Sequence, residues 1–170
     1  MCIFGDEGVG KSCLTQRYLT GLFEAYMKKT LGAAINIKHA KIENKNIVIQ
    51  IWDFGGEEKF RFLLPTYVYG SSAGIFMYDV TRKSTLKKID DWLKCFKEGL
   101  KDEKKEIPIF MVGGKIDLIE QKSVSINDSK KMTKSYNILD YFECSAKTGE
   151  NVEEIFEKIT RIVMKKSGVI

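Results

Sequence analysis

The stretch GDEGVGKSC, residues 5–13, carries the strongest structural signal in the chain. Gly5, Gly10, Lys11 and Ser12 fit the pattern G-x-x-x-x-G-K-[ST], in which a glycine-rich turn joins a strand to a helix. The apolar run CIF precedes the turn, and KSCLTQRYL follows it with helical spacing of apolar residues. Such a turn points several backbone N–H groups at one anion, and the helix N-terminus adds positive potential. The stretch therefore predicts a phosphate-binding loop; the alternative is a glycine-rich turn with an incidental lysine.

Short apolar runs alternate with helical patterns along the rest of the chain. The predicted strands are CIF, AAINIKHAKI, NIVIQIWD, AGIFMYDV, IPIFMVGG and ILDYFECSA, the second and third being joined by the turn residues ENKN. The order strand–helix–hairpin–strand–helix–strand–helix–strand–helix is typical of an α/β fold. It predicts one domain, residues 1–170, built as a three-layer sandwich with a six-stranded, mostly parallel sheet flanked by helices.

Two helices are predicted in more detail. One continuous helix in STLKKIDDWLKCFKEGL would place an apolar stripe on one face, formed by Leu86, Ile89, Leu93, Phe96 and Leu100. The last helix would begin with Asn151 as N-cap and Glu154 three residues later, a variant of the capping box.

The composition indicates an ordinary globular protein of the cell interior. The formal charge of +5 comes from lysines mixed with acids, which favours a solvated surface over a nucleic-acid interface. The four cysteines show no paired spacing, which fits a reducing compartment. No apolar run reaches the roughly 18 residues of a membrane span, and the tail MKKSGVI offers no cysteine for prenylation. We therefore expect a cytoplasmic monomer without a membrane anchor in this chain.

Four further boxes follow GDEGVGKSC and extend over nearly the whole chain: KKTLGA, WDFGGEEKFR, GGKID and ECSAK. The five boxes, in this order, resemble those of the Ras-like small GTPases, most closely the Rab branch. The resemblance implies a G domain that binds GTP or GDP with Mg²⁺. It also implies that Lys11 reaches the β- and γ-phosphates, while Ser12, Thr30 and, through water, Asp53 hold the metal.

The same resemblance supplies the other contacts with the nucleotide. The Gly56 N–H would meet the γ-phosphate, and the catalytic group would comprise Glu57, Lys11, Thr30 and Gly56. The remaining contacts would come from Glu7, Gly8, Val9, Gly10, Cys13, Phe23, Lys115, Asp117, Ser145, Ala146 and Lys147.

Guanine selectivity has a physical basis in the last two boxes. The Asp117 carboxylate can accept two hydrogen bonds, from guanine N1–H and the 2-amino group, and adenine would leave that charge unpaired. The Lys115 stem can lie over the purine, and the Ala146 N–H can donate to O6. Each box taken alone could be only a strand end or a loop.

Two segments are predicted to sense the γ-phosphate. Effectors, exchange factors and activating proteins would bind the protein through these segments. We call residues 24–35 the first switch segment and residues 54–67 the second. Both are expected to be loops with little apolar anchoring, released when the γ-phosphate is lost. Ile35, Trp52 and Tyr67 map onto a surface that the Rab branch uses for effectors, although Trp52 could equally be sheet packing.

Three residues depart from the family pattern. Glu7 replaces a small residue near the γ-phosphate and should turn outward or pair with Lys28 or Lys29. Glu57 replaces the glutamine that orients the attacking water, so hydrolysis should be slow or absent. Gly114 replaces an asparagine that ties the base loop to the phosphate loop, which should weaken affinity.

Three functions follow as hypotheses. The first is a Mg²⁺-dependent GTPase switch, and the second is a guanine-nucleotide-binding interaction module with negligible hydrolysis. The third is a phosphoryl-transfer kinase, against which the boxes GGKID and ECSAK argue.

Overall fold

The chain folds around a six-stranded sheet, as seen in a computed structural model that describes residues 1–100 and 106–170. The strands are β1 (Cys2–Phe4), β2 (Ala33–Ile42), β3 (Lys45–Phe54), β4 (Gly74–Asp79), β5 (Ile109–Gly114) and β6 (Asp140–Cys144). Their order is β2-β3-β1-β4-β5-β6, and every neighbouring pair is parallel except β2 with β3. The prediction of an α/β fold with a mostly parallel sheet is confirmed.

Six α-helices connect and cover the strands within the described ranges. They are α1 (Lys11–Thr20), α2 (Leu64–Val68), α3 (Lys83–Lys87), α4 (Ile89–Glu98), α5 (Ile126–Ser135) and α6 (Val152–Lys166). Two 3₁₀ helices, Glu58–Leu63 and Ile119–Gln121, lie between them. None of these helices combines the length and the apolar character that crossing a membrane requires.

The core consists of two apolar clusters, one centred on Phe4, Trp92 and Phe96 and the other on Leu14, Tyr18 and Phe156. In the second cluster the rings of Tyr18 and Phe156 stack with centroids 4.0 Å apart, which joins α1 to α6. Successive residues of β4 alternate between the clusters, because neighbouring side chains of a strand point to opposite faces. The sheet is therefore covered on both faces.

The β2–β3 hairpin closes through a two-residue turn. Ile42 pairs with Lys45, and both turn residues, Glu43 and Asn44, have positive φ angles of 47° and 62°. This geometry is that of a type I′ turn, which matches the twist of the two strands. The predicted turn ENKN is thus confirmed.

The prediction of one helix over 84–100 was wrong, because the backbone leaves helical geometry at Lys88 and α3 and α4 are separate. The apolar stripe nevertheless holds: Leu86, Ile89, Leu93 and Phe96 are buried, and Leu100 is half-buried. The periodicity of the stripe therefore survives a break in the backbone.

The capping prediction for α6 was right in position, since Asn151 is the N-cap residue, and wrong in the contact. Asn151 precedes the helix with φ at 60°, and its side chain makes no capping hydrogen bond. Instead, Asn151 Nδ2 donates to the Glu143 carbonyl at 2.7 Å and so fixes the end of β6. The acidic Glu153 and Glu154 in the first turn complement the helix dipole.

Candidate functional site

The phosphate-binding loop, residues 5–12, follows β1 and opens α1, as predicted. Its glycines have positive φ, 142° at Gly5 and 103° at Gly10, which only residues without a β-carbon adopt readily. Inside the loop the ammonium of Lys11, 5% exposed, donates to the carbonyls of Gly5 and Asp6 at 2.8 Å each. Burial lowers the pKa of Lys11 to about 8. A buried cation inside a glycine-rich loop that opens a helix is suited to a polyanion.

Three oxygen-bearing side chains converge beside this loop. Ser12 Oγ donates to Asp53 Oδ2 at 2.5 Å, and Thr30 Oγ1 lies 2.9 Å from Ser12 Oγ and 3.4 Å from Asp53 Oδ2. Burial raises the pKa of Asp53 despite these bonds and the nearby Lys11. Its second oxygen, Oδ1, is buried and has no hydrogen-bond partner within the described residues. Two hydroxyls and a carboxylate with an unsatisfied oxygen form a donor set that fits Mg²⁺.

The predicted base-binding residues meet at the ends of β5 and β6. Ser145, fully buried, donates through Oγ to Asp117 Oδ1 at 2.6 Å, leaving the other carboxylate oxygen for a ligand. Lys115 has a left-handed backbone with φ at 68°. The Lys115 Nζ forms an ion pair with Asp79 Oδ2, 2.8 Å away at the end of β4. This pair fixes the aliphatic part of the Lys115 side chain at the cavity wall.

One cavity of about 560 Å³ joins these parts. It lies beyond the carboxyl ends of the parallel strands, where ligands bind in open α/β sheets. The predicted contacts that line it are Glu7, Gly8, Val9, Gly10, Lys11, Ser12, Cys13, Phe23, Thr30, Gly56, Glu57, Lys115, Asp117, Ala146 and Lys147. Two predicted residues do not line the cavity: Ser145, which hydrogen-bonds to Asp117, and Asp53, which accepts a hydrogen bond from Ser12.

Glu7 turns toward the first switch segment. Its carboxylate forms an ion pair with the ammonium of Lys29, one of the two partners predicted. The hydrogen bond and charge of Lys29 lower the pKa of Glu7, which therefore stays ionised at neutral pH. The pair links the phosphate-binding loop to the residue that precedes Thr30.

Glu57 is also held by a lysine. Its Oε2 lies 2.8 Å from the Nζ of Lys59, and its side chain is 23% exposed at the cavity wall. The acids at both unusual positions are thus paired with cations from the switch segments.

The two switch segments touch each other. The Gly55 N–H donates to the Gly32 carbonyl at 2.8 Å, and a β-carbon on Gly55 would lie only 2.5 Å from the Thr30 carbonyl oxygen. A β-carbon on Gly56 would overlap the backbone of Asp6 and Glu7. Both glycines therefore permit close approach of backbones.

The expectation of little apolar anchoring was wrong for the second switch segment. Its carboxyl-terminal part enters α2, where Leu64 is fully buried, and Val68 in the same helix is fully buried as well. The sequence signal was present in FLLPTYV, in which the spacing Leu64–Val68 is helical.

Arg82 is a site residue that sequence reasoning missed. Its Nε donates to Asp79 Oδ2 at 3.0 Å, and its Nη2 donates to the Glu7 carbonyl at 2.8 Å. Burial opposes ionisation of Asp79, but bonds from Lys115, Thr81 and Arg82 outweigh it and lower the pKa. The available signal in the sequence was Asp79, a carboxylate at the end of a buried strand, where ligand sites form in parallel sheets.

The three residues of the predicted effector surface lie together. Ile35, 51% exposed, pairs with Trp52 across the hairpin, and the Trp52 and Tyr67 rings lie 4.8 Å apart. Trp52 is only half-buried, so it contributes to sheet packing and to this surface at once.

The fold and this cavity define a P-loop nucleotide-binding protein, and the residues predicted to bind phosphate, metal and base lie in or directly beside the cavity. Comparison with known proteins narrows the class: residues 1–165 match the model of the Ras family. The chain therefore belongs to the Ras family, whose members are GTP-binding switches.

Relatives within that family are Rab proteins. Ras-related protein Rab-4 of Dictyostelium discoideum is 36% identical over 164 residues, covering 96% of this chain and 78% of that protein. Ras-related protein Rab-19 of Homo sapiens is 30% identical, and the match covers 98% of this chain and 76% of that protein. Ras-related protein Rab-13 of Rattus norvegicus is 30% identical, and the match covers 99% of this chain and 81% of that protein.

Proposed function

We propose that residues 1–170 form one G domain that acts as a Mg²⁺-dependent GDP/GTP switch with slow hydrolysis. The observation that carries the slow rate is the Glu57 carboxylate, paired with Lys59 2.8 Å away where the family pattern has glutamine. The protein would act in the cytoplasm as a monomer, in Rab-like trafficking or signalling.

The phosphates would be bound by the backbone of residues 7–13 and by Lys11. On binding, the Lys11 ammonium would exchange the Gly5 and Asp6 carbonyls, each 2.8 Å away, for phosphate oxygens. Phosphate charge would also offset the burial that lowers its pKa.

The metal would be held by Ser12 and Thr30, with Asp53 acting through water. Bound there, Mg²⁺ would neutralise phosphate charge. The support is the orphaned Asp53 Oδ1 and the two hydroxyls beside it.

Guanine would be selected by Asp117, which keeps one oxygen free while Ser145 orients the other. Phe23 and the Lys115 stem would flank the purine, and the Ala146 N–H would donate to O6. All of these except Ser145 line the one cavity.

Switching would act through the contact of Gly55 with Gly32 and Thr30. Thr30 and Gly56 would each contact the γ-phosphate or its metal, so loss of that group would weaken the contact between the segments. Effectors would then read the first and second switch segments, with Ile35, Trp52 and Tyr67 on the same face.

Hydrolysis would be slow because an ionised glutamate only accepts hydrogen bonds. A glutamine can accept from the attacking water and donate to a phosphoryl oxygen at once. Glu57 held by Lys59 would have to leave that ion pair before it could position water.

The test is single-turnover phosphate release from protein loaded with GTP and Mg²⁺. Slow release above the rate without protein supports the switch, and omitting Mg²⁺ should abolish it. Release as fast as in glutamine-containing relatives would overturn the assigned effect of Glu57.

A second candidate is a guanine-nucleotide-binding interaction module without useful hydrolysis. The observation that favours it is the ionised Glu7 at the mouth of the phosphate loop, where it would crowd an arginine inserted by an activating partner. Tight GTP binding, with phosphate release no faster than without protein, would establish this function and rule out the GTPase.

A further inference from the structure

Gly114 ends β5 immediately before the base-binding residues Lys115 and Asp117. The family pattern has asparagine there, as the tie between the base loop and the phosphate loop. In this chain, the space beside Gly114 is filled by another side chain. A β-carbon on Gly114 would lie 2.5 Å from the terminal methyl carbon, Cε, of Met77.

Met77 belongs to β4, the strand between β1, which leads into the phosphate-binding loop, and β5. It is 1% exposed, and its side chain lines the nucleotide cavity. The same methyl carbon lies 3.5 Å from the position of a β-carbon on Gly10. The Met77 carbonyl also packs directly against Gly5 at the start of the loop. Met77 thus contacts both ends of the phosphate-binding loop and the start of the base loop.

The backbone itself does not demand glycine at position 114. Gly114 is absent from the residues with positive φ, so a side chain is compatible with its dihedral angles. The obstacles are the Met77 methyl and, at 3.1 Å, the Val9 carbonyl oxygen. Glycine at 114 and methionine at 77 are therefore a matched pair.

We propose that Met77 is the positioning residue that holds the base loop against the phosphate loop, in the place of the missing asparagine. An apolar contact lacks the direction of an amide hydrogen bond. A methionine, however, is unbranched and flexible, and it fills an irregular gap between two loops well. The contact sets how rigidly Asp117 is held relative to Lys11, and hence the rate of nucleotide release.

The proposal rests on guanine-nucleotide binding, and its test is a double-mutant cycle on the dissociation rate of fluorescently labelled GDP. Gly114→Asn alone should accelerate release, because the methyl must move into the cavity. Met77→Val alone should accelerate it, because a gap opens between the loops. We expect about a tenfold change for each, the scale on which residues in contact couple.

The double variant should release GDP at close to the wild-type rate, since asparagine then has room to form the polar tie. Met77→Leu, which keeps an apolar group in the gap, should also remain close to wild type. If the double variant instead shows the product of the two single effects, the inference is overturned.

Met111→Val is the matched control, because Met111 is fully buried in the other apolar cluster and lies outside the cavity lining. Release as fast as in Met77→Val would mean general weakening of the core and would overturn the inference. Should Gly114→Asn fail to fold, Gly114→Ala replaces it in the cycle. Folding of either Gly114 variant only with Met77→Val supports the pair, and failure in both backgrounds overturns it.

The cycle separates this inference from the proposed function. Wild-type protein that binds no GDP would refute the function before any variant is compared. Wild-type protein that binds GDP, with independent effects at positions 77 and 114, would refute only the matched pair.

Discussion

Glu7 and Glu57 line the same cavity as Lys11, yet neither carboxylate is left facing the phosphate site alone. Glu7 is paired with Lys29 and Glu57 with Lys59, each lysine coming from a switch segment. An unpaired carboxylate about 4 Å from a phosphate oxygen would be repelled by several kcal/mol at an effective dielectric near 20. The lysines therefore make two acids compatible with a polyanion.

Glu57→Gln should raise single-turnover GTP hydrolysis by about tenfold or more, as expected when a group that positions water is restored. GTP affinity should change little, since the side chain would act on water rather than on the bound phosphates. Glu58→Gln is the matched control: the same charge is removed one residue away, outside the cavity lining. A large affinity change at constant rate would refute the assigned role.

Asp117→Asn should shift the preference from guanine to xanthine. The amide can donate to the C2 oxygen of xanthine, whereas it leaves the 2-amino group of guanine poorly matched. GTP affinity should fall by about a hundredfold or more, as for a lost buried polar match. Competition between GTP and XTP measures the shift, and unchanged GTP selectivity would refute the base assignment.

At the scale of elements, the first switch segment is fixed by contacts at three points. The Glu7–Lys29 pair ties it to the phosphate-binding loop, and the Gly55–Gly32 bond ties it to the second switch segment. Hydrogen bonds of Ser12 with Asp53 and of Thr30 with both connect the segment to α1 and β3. The segment is therefore held by the protein's own ion pair and hydrogen bonds.

Lys29→Ala should increase hydrogen exchange in residues 24–35 of the nucleotide-bound protein at low salt. The increase should disappear at about 1 M salt, where exposed pairs are screened within roughly 3 Å. Lys28→Ala is the control, since Lys28 forms no ion pair within residues 1–100 and 106–170. Equal effects of both variants would show that Glu7 does not hold the segment.

Gly55→Ala should lower GTP affinity more than GDP affinity, by about tenfold, as expected for overpacking against backbone atoms. The added β-carbon would lie 2.5 Å from the Thr30 carbonyl oxygen and would push the switch segments apart. The ratio of the two affinities, measured by titration, is its own control for general destabilisation. An unchanged ratio would mean that the contact is independent of the γ-phosphate.

The sequence predicted the helices and strands correctly where their formation depends on residues that are neighbours in the chain. The alternation of apolar strands, the ENKN turn and the glycine-rich loop each depend on neighbouring residues, and all were found in place. The role of Asn151 depends on a tertiary contact, its hydrogen bond to the Glu143 carbonyl, and the break at Lys88 lies within an uninterrupted helical stripe of apolar residues. No local pattern encodes these.

At the scale of the molecule, the cavity collects residues that are far apart in sequence. Most of the residues predicted to bind phosphate, metal and base lie at the ends of β1, β3, β5 and β6, and a parallel sheet brings these ends to one edge. Phe23 and Thr30 come from the segment between α1 and β2. Their convergence could be predicted from motif order. The contacts of Met77 and Arg82 could not, because they depend on side chains of β4 and the loop after it.

The nucleotide that co-purifies with the protein is the most direct check of this interpretation. Denaturing the purified protein and separating the released small molecules by chromatography should yield GDP or GTP, at close to one per chain when Mg²⁺ is kept present. Protein that yields neither nucleotide, and that fails to take up added GDP or GTP with Mg²⁺, would refute the assignment of the cavity.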